Sequence, residues 1–194
     1  MHQIEYAAPG TLSAALALLG ERRGEAKVLA GGTDIIVQAR EGRRRPALLL
    51  DVKKIPELTA IAWSPDGALT IGAAVPCARI CADADVARAF PALVEAAGLI
   101  GGTQVQSRAS LGGNLCNASP AADSVPALIA LGAVCEIAGP NSARELPVEA
   151  ICTGPGANAL ADDELLVALR LPSPPSNSGA AFERFIPRNE MDIA

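Results

Sequence analysis

Hydrophobic and polar positions alternate along this chain with two different periods, and the changes between them mark out its elements. Leu12 to Leu19 (LSAALALL) is an apolar and small-residue run, preceded by Thr11 and followed by Gly20 and Gly24. A threonine hydroxyl suits an N-cap and glycine suits a helix end, so a helix is predicted over 11–20. Short apolar runs at 27–30 and 48–52 read as strands, with a helix over 34–41 between them. Asp34 stands where it can cap that helix, and Arg40 and Arg43 fall near its negative end. Pro56 marks a crossing into a second pattern. There a strand at 69–72 precedes helices near 76–82 and 86–99, the last broken by Gly98, Gly101 and Gly102. Residues 103–123 are rich in Ser, Asn, Gln and Gly and read as a long polar loop, a feature that usually carries function in a compact domain. A helix over 124–131 and strands at 133–138 and 164–171 follow. Pro172 to Gly179 (PSPPSNSG) has linker composition, and Ala180 to Ile186 reads as the start of another strand.

Composition narrows the classes. The chain has 194 residues, 50% of them apolar, enough for a sizeable core in one domain or two small lobes. Its net charge of −5 argues against a nucleic-acid surface, and the basic run Arg43-Arg44-Arg45 reads as a solvated loop after a helix. No apolar run approaches the roughly 20 residues of a membrane span. The 12–19 run lacks the basic flank and small-residue cleavage site of a signal peptide. Cys77, Cys81, Cys116, Cys135 and Cys152 are scattered, without a Cys-x-x-Cys, and read as reduced thiols of a cytoplasmic protein. The single histidine is His2, beside the chain start, which disfavours Ser-His-Asp and histidine-based metal chemistry. Asp162, Asp163 and Glu164 adjoin a predicted turn and are expected to face water.

Two glycine pairs carry the candidate chemistry. Ala30-Gly31-Gly32-Thr33-Asp34 lies between a predicted strand and helix; Ser110-Leu111-Gly112-Gly113-Asn114 opens a polar stretch running on to Asp123. Glycine, having no Cβ, lets backbone N–H groups crowd around an oxyanion, and a following helix adds its positive end. Taken singly, the segments have a plainer reading, the first as a tight turn and the second as a capped loop with Asp123 as an N-cap, though the phosphate reading is the stronger for each. Taken together, with hydroxyls at Thr33 and Ser110, they suit the two sides of a diphosphate, so a dinucleotide cofactor is the leading reading. Neither the Gly-x-Gly-x-x-Gly fingerprint nor the P-loop sequence occurs. Gly32→Val and Gly113→Val are expected to abolish cofactor binding with the fold intact. Arg184 and Arg188 are candidates for contacts with an anionic partner, and read equally well as part of a plain surface strand.

AGGTD at 30–34, SLGGN at 110–114 with NASPAAD at 117–123, and FERFIPRNEMDIA at 182–194 resemble, in order and spacing, the flavin-binding medium subunit of the molybdenum hydroxylases. That family includes carbon monoxide dehydrogenase and the flavin part of xanthine dehydrogenase. The resemblance implies an α+β, two-subdomain FAD-binding fold of the PCMH (vanillyl-alcohol-oxidase-like) type. It implies one subdomain over 1–56, a second over 57–175, and a linker at 176–194 leading into a C-terminal domain of which the chain holds only the beginning. FAD is then expected on Val28, Leu29, Ala30, Gly31, Gly32, Thr33 and Asp34, the first pyrophosphate segment. Ser110, Gly112, Gly113, Asn114, Cys116, Asn117, Ser119 and Asp123 form the second segment and its continuation. Ile100 stands where some relatives carry an aromatic residue near the flavin, and Leu166 and Arg184 complete the set, Arg184 at a position that is basic in relatives.

The resemblance also implies an oxidoreductase subunit with no catalytic acid or base of its own. It would take electrons from two [2Fe-2S] clusters on an iron–sulfur small subunit, which receives them from a molybdenum cofactor on a large subunit. It would pass them to NAD⁺, a quinone or another acceptor, within a cytoplasmic hetero-oligomer. No cysteine-rich insertion of the 4-hydroxybenzoyl-CoA reductase branch occurs. Two other readings stand beside this one: a self-contained flavin oxidase, and a non-catalytic assembly module that holds no FAD in this truncated form.

Overall fold

A computed structural model describes residues 3–186; His2, Arg188 and the MDIA stretch lie outside the described residues. The chain opens with a small parallel sheet in which β1 (Glu5–Ala7), β3 (Leu48–Asp51) and β2 (Ala26–Leu29) lie in that order. Parallel neighbours need crossover connections, supplied here by α1 (Leu12–Glu21) and α2 (Ile35–Arg40). Thr11 caps α1 as expected: its backbone is extended and the Ala14 N–H donates to its Oγ1 at 3.3 Å. Ala15 and Leu19, one turn apart, bury the inner face of α1 in a core with Leu48 and Leu50. By contrast, α2 has no buried residue, and Asp34 makes no side-chain bond to its first turn. The expected Asp34 cap is therefore absent.

The second sheet is antiparallel, with the order β4 (Ile61–Trp63), β5 (Leu69–Gly72), β10 (Leu165–Leu171), β6 (Val134–Ala138), β7 (Ala143–Pro147). The central strand, β10, is the last of these in the chain. Its sequence LLVALRL is almost continuously apolar, as a strand covered on both faces must be. A bulge at Val167 shifts its pairing with β6 and leaves Leu165 and Leu166 both buried. Helices α4 (Cys77–Ala82), α5 (Ala84–Ala89), α6 (Pro91–Gly98) and α9 (Ser124–Ala130) contribute to a core that includes Leu69, Ile71, Phe90, Leu93, Leu128 and Leu169.

Several elements depart from the sequence pattern. The helix expected over 86–99 is two helices, because Phe90 leaves the helical region at φ −131° and Pro91 starts a new helix at its first turn. The expected polar loop holds α7 (Thr103–Gln106) and α8 (Leu111–Asn117). Two glycines in the seven residues of α8 depress its intrinsic helicity, but Ser110 caps it, accepting the Gly113 N–H at 3.1 Å. The short β1 and β4, the solvent-alternating β7, and a ribbon of β8 (Cys152–Gly154) and β9 (Ala157–Asn158) offer too little apolar pattern to be read in advance. No strand forms over 180–186. The chain passes between the sheets through α3 (Pro56–Thr59), and Leu58, Ala74 and Leu165, all beyond residue 56, complete the core of the first sheet. The resulting fold among the described residues is α+β, with two main sheets, the small β8–β9 ribbon and two cores in contact.

Candidate functional site

A cleft of about 270 Å³ opens between the two halves. Val28 and the residues from Ala30 to Asp34, at the end of β2, line one side. Ser110, Gly112, Gly113, Asn114, Cys116 and Asn117, from the cap and body of α8, line the other, with Ile100 and Leu166 beside them. The cleft thus brings together two segments that are far apart in sequence. Leu29 belongs to the buried strand behind it. Ser119 and Asp123 lie outside the lining: the Ser119 hydroxyl accepts the Ala121 N–H, and Asp123 faces Arg184 Nε at 3.6 Å. Arg184 likewise lies outside it. Burial raises the Asp123 carboxyl above the ordinary range, against the opposing pull of Arg184.

The glycines have separate reasons to be glycine. A Cβ on Gly31 would lie 2.0 Å from the Arg108 carbonyl oxygen, so this residue is the point where the two halves meet backbone to backbone. Gly32 has φ +80°, a conformation that side chains rarely adopt. A Cβ on Gly112 would lie 2.5 Å from the Ala73 carbonyl oxygen. Gly113 is different: its Cβ would meet only Ser110 Oγ, at 3.1 Å, and would otherwise project into open space. Gly32→Val therefore strains the backbone and cannot report on binding alone, whereas position 113 can.

Polar groups converge on the same place. Among the described residues, no protein acceptor takes the backbone N–H of Gly31, Gly32, Thr33, Asp34 or Ile35, and none takes that of Leu111 or Gly112. Unclaimed amides at this density are what an oxyanion requires. The base of the first loop is anchored by Lys53, whose Nζ donates to Ala30 O at 2.9 Å and pairs with Asp51 at 2.8 Å, while Tyr6 also donates to Asp51. Opposite, the buried Ser124 hydroxyl donates to Asn114 Oδ1 at 2.6 Å, which leaves the amide nitrogen of Asn114 as a donor. Two amide-rich loops facing each other, with an open cradle at Gly113, fit the diphosphate of a dinucleotide.

Sequence reasoning missed several groups at the cleft. Gln38, Arg44 and Asn158 line it, although nothing in their local sequence marks them. Arg44, read as part of a solvated run, bonds to Gln38 and to the Gly156 carbonyl. The acidic run departs from expectation in part: Asp162 is exposed, but Asp163 is buried against Arg23, and Glu164 accepts two bonds from Arg144 at 2.7 Å. Desolvation raises the pKa of Asp34 at the cleft, with Arg43 opposing it. Burial pushes the Cys116 thiol up to about 12, so this cysteine is a neutral wall group and not a nucleophile.

The fold and cleft define an α+β protein with an amide-lined site suited to a phosphate-bearing cofactor. Residues 2–174 match the family described as the FAD binding domain in molybdopterin dehydrogenase, and the chain belongs to that family. It is 36% identical over 190 residues to the xanthine dehydrogenase FAD-binding subunit of Escherichia coli O157:H7, covering 97% of this chain and 65% of the relative. It is 32% identical over 182 residues to the carbon monoxide dehydrogenase medium chain of Hydrogenophaga pseudoflava, covering 94% and 63%. The solved carbon monoxide dehydrogenase from the latter organism superimposes with a TM-score of 0.93 at 31% identity, covering all of this chain and 67% of that one. The chain thus spans just under two thirds of the length of these curated relatives. No helix among the described residues is long and apolar enough to cross a membrane.

Proposed function

We propose that this chain holds FAD in the cleft between its two halves, as the flavoprotein part of a molybdenum-containing hydroxylase or dehydrogenase. The observation that carries this reading is the pairing of unclaimed amides at 31–35 with the open Gly113 cradle across the Gly31–Arg108 contact. The amides of both loops and the Asn114 carboxamide bind the diphosphate, with Thr33 and Ser110 beside it. Ile100, Leu166 and Val28 supply an apolar wall that keeps water from the cofactor. FAD, when bound, supplies the redox chemistry, taking up and passing on electrons. This chain provides position, polarity and access, and none of its residues needs to move a proton.

Relatives named as a subunit and a medium chain support a place in a multi-subunit enzyme, and the partners we propose there are an iron–sulfur small subunit and a molybdenum large subunit. In that assembly electrons pass from the clusters through this subunit to an external acceptor. We assign the first lobe to residues 1–56, the second to 57–175, and the outgoing segment to 176–194. The five free thiols suit a reducing compartment such as the cytoplasm. FAD titration of the purified chain, followed by flavin fluorescence and visible absorbance, tests the site. Saturation near one FAD per chain is expected. An undiminished free-flavin signal throughout the titration refutes the proposal and favours an assembly role.

A further inference from the structure

We propose that Arg44 is a positioning residue for the cofactor, acting through Gln38 to fix which way the Asn117 carboxamide faces. This inference rests on the FAD reading above and concerns residues outside both glycine loops.

The argument follows from donor and acceptor chemistry along one chain of bonds. Arg44 Nε donates to Gln38 Oε1 at 3.2 Å, and Gln38 Nε2 donates to Asn117 Oδ1 at 2.9 Å. A carboxamide can be turned over with almost no change in shape, so the polarity of an isolated Gln–Asn pair is undetermined. A guanidinium has donors and no acceptor, and its presence removes that freedom. Facing Arg44, Gln38 must present its oxygen, so its nitrogen faces Asn117. Asn117 must then present its own oxygen to Gln38, and its Nδ2 hydrogens remain. Asn117 lines the cleft, and no protein acceptor among the described residues takes Nδ2. The relay leaves a donor, and not an acceptor, available to the phosphate or sugar oxygens of FAD.

Arg44 is itself held in place. Its backbone N–H donates to Gln38 O at 3.2 Å, folding the turn after α2 back onto that helix. Its NH2 group donates to Gly156 O at 3.1 Å, and the Gly156 N–H donates to Ala118 O at 2.9 Å. The relay therefore starts in the first half of the chain, crosses to α8, and is closed by the β8–β9 turn. α2 buries no residue, and the two of its residues that line the cleft are Ile35 and Gln38, the second of which carries the relay.

The test is a double-mutant cycle on the 194-residue chain, reading the FAD dissociation constant by fluorescence quenching. Gln38→Leu breaks the relay without changing charge and is expected to weaken binding about three- to tenfold, the worth of one hydrogen bond. Asn117→Ala is expected to weaken it at least as much. In the Gln38→Leu/Asn117→Ala double variant, Gln38→Leu should add nothing further, because the group it orients is gone. Gln38→Met repeats the measurement with a flexible side chain, and melting of each variant without FAD controls for the fold. Wild-type affinity in both Gln38 variants overturns the relay while leaving the FAD site standing, and so does a Gln38 effect that persists in full on top of Asn117→Ala. A wild-type chain that binds no FAD overturns both readings.

Discussion

Gly113→Ala separates folding from binding at this site more sharply than any other single change. Gly113 is helical, in the first turn of α8, where alanine is favoured over glycine by about 0.8–1.0 kcal/mol. The added methyl meets only Ser110 Oγ at 3.1 Å, tighter than most real contacts, so the hydroxyl must yield by a few tenths of an ångström. The cap it provides, worth about 1 kcal/mol, is partly loosened. These two effects nearly cancel, and the variant without cofactor should unfold within about 0.5 kcal/mol of the wild type in urea. Binding should respond quite differently. The methyl enters the cradle and holds the diphosphate off the α8 amides. Hydrogen bonds to a charged group are worth about 1.5–3 kcal/mol each, so losing one weakens FAD binding about ten- to hundredfold. Paired urea unfolding curves and FAD titrations check both halves of the expectation. Wild-type affinity in a folded Gly113→Ala chain refutes the cradle.

Four further outcomes are expected. Gly31→Ala drives a methyl into the Arg108 backbone, where no side chain can give way; it should cost at least about 1–3 kcal/mol in urea unfolding and disturb both loops together. Thr11→Ala, removing the α1 cap at its long 3.3 Å bond, should cost about 0.5–1 kcal/mol in the same assay and leave FAD affinity unchanged. Arg144 holds the Glu164 carboxyl below its ordinary value of 4.5. This pair contributes its full stabilisation above that pH and loses it as pH falls through the lowered value, so Arg144→Met should flatten the acid limb of the stability–pH curve. Burial pushes Cys77, Cys116 and Cys135 up to about 12, which disfavours the thiolate in all three. Thiol titration should show these three protected in the native chain and reactive once it is unfolded.

Local signals were legible where they were strong and self-sufficient. The hydroxyl of Thr11 before an apolar run predicted α1 and its cap, and the runs at 27–30, 48–52, 69–72 and 133–138 became strands of the two sheets. They were illegible where local preference was weak or was overruled. Two glycines hid α8, and Phe90-Pro91 divided one helical pattern into two. Asp34 had the right residue type and position for a cap, yet its carboxylate makes no such bond. The acidic run near 163 looked solvated because nothing local announces that Arg23 and Arg144, distant in the chain, fold against it.

By itself the sequence determined most of the long elements and the two glycine segments, because periodicity, caps and the missing Cβ act within a few residues of one another, while the α+β class came with the family resemblance. It also carried the family resemblance, which needs only motifs in order. Tertiary structure alone decided that the two segments face one cleft, since their meeting depends on Gly31 abutting the Arg108 backbone some seventy-seven residues later. It alone divided the glycines into those that pack against neighbouring backbone, at 31 and 112, and the one at 113 that leaves a space open. And it alone drew Arg44 and Gln38 into the site, because hydrogen-bond polarity is a property of groups brought together in space, and no spacing along the chain encodes it.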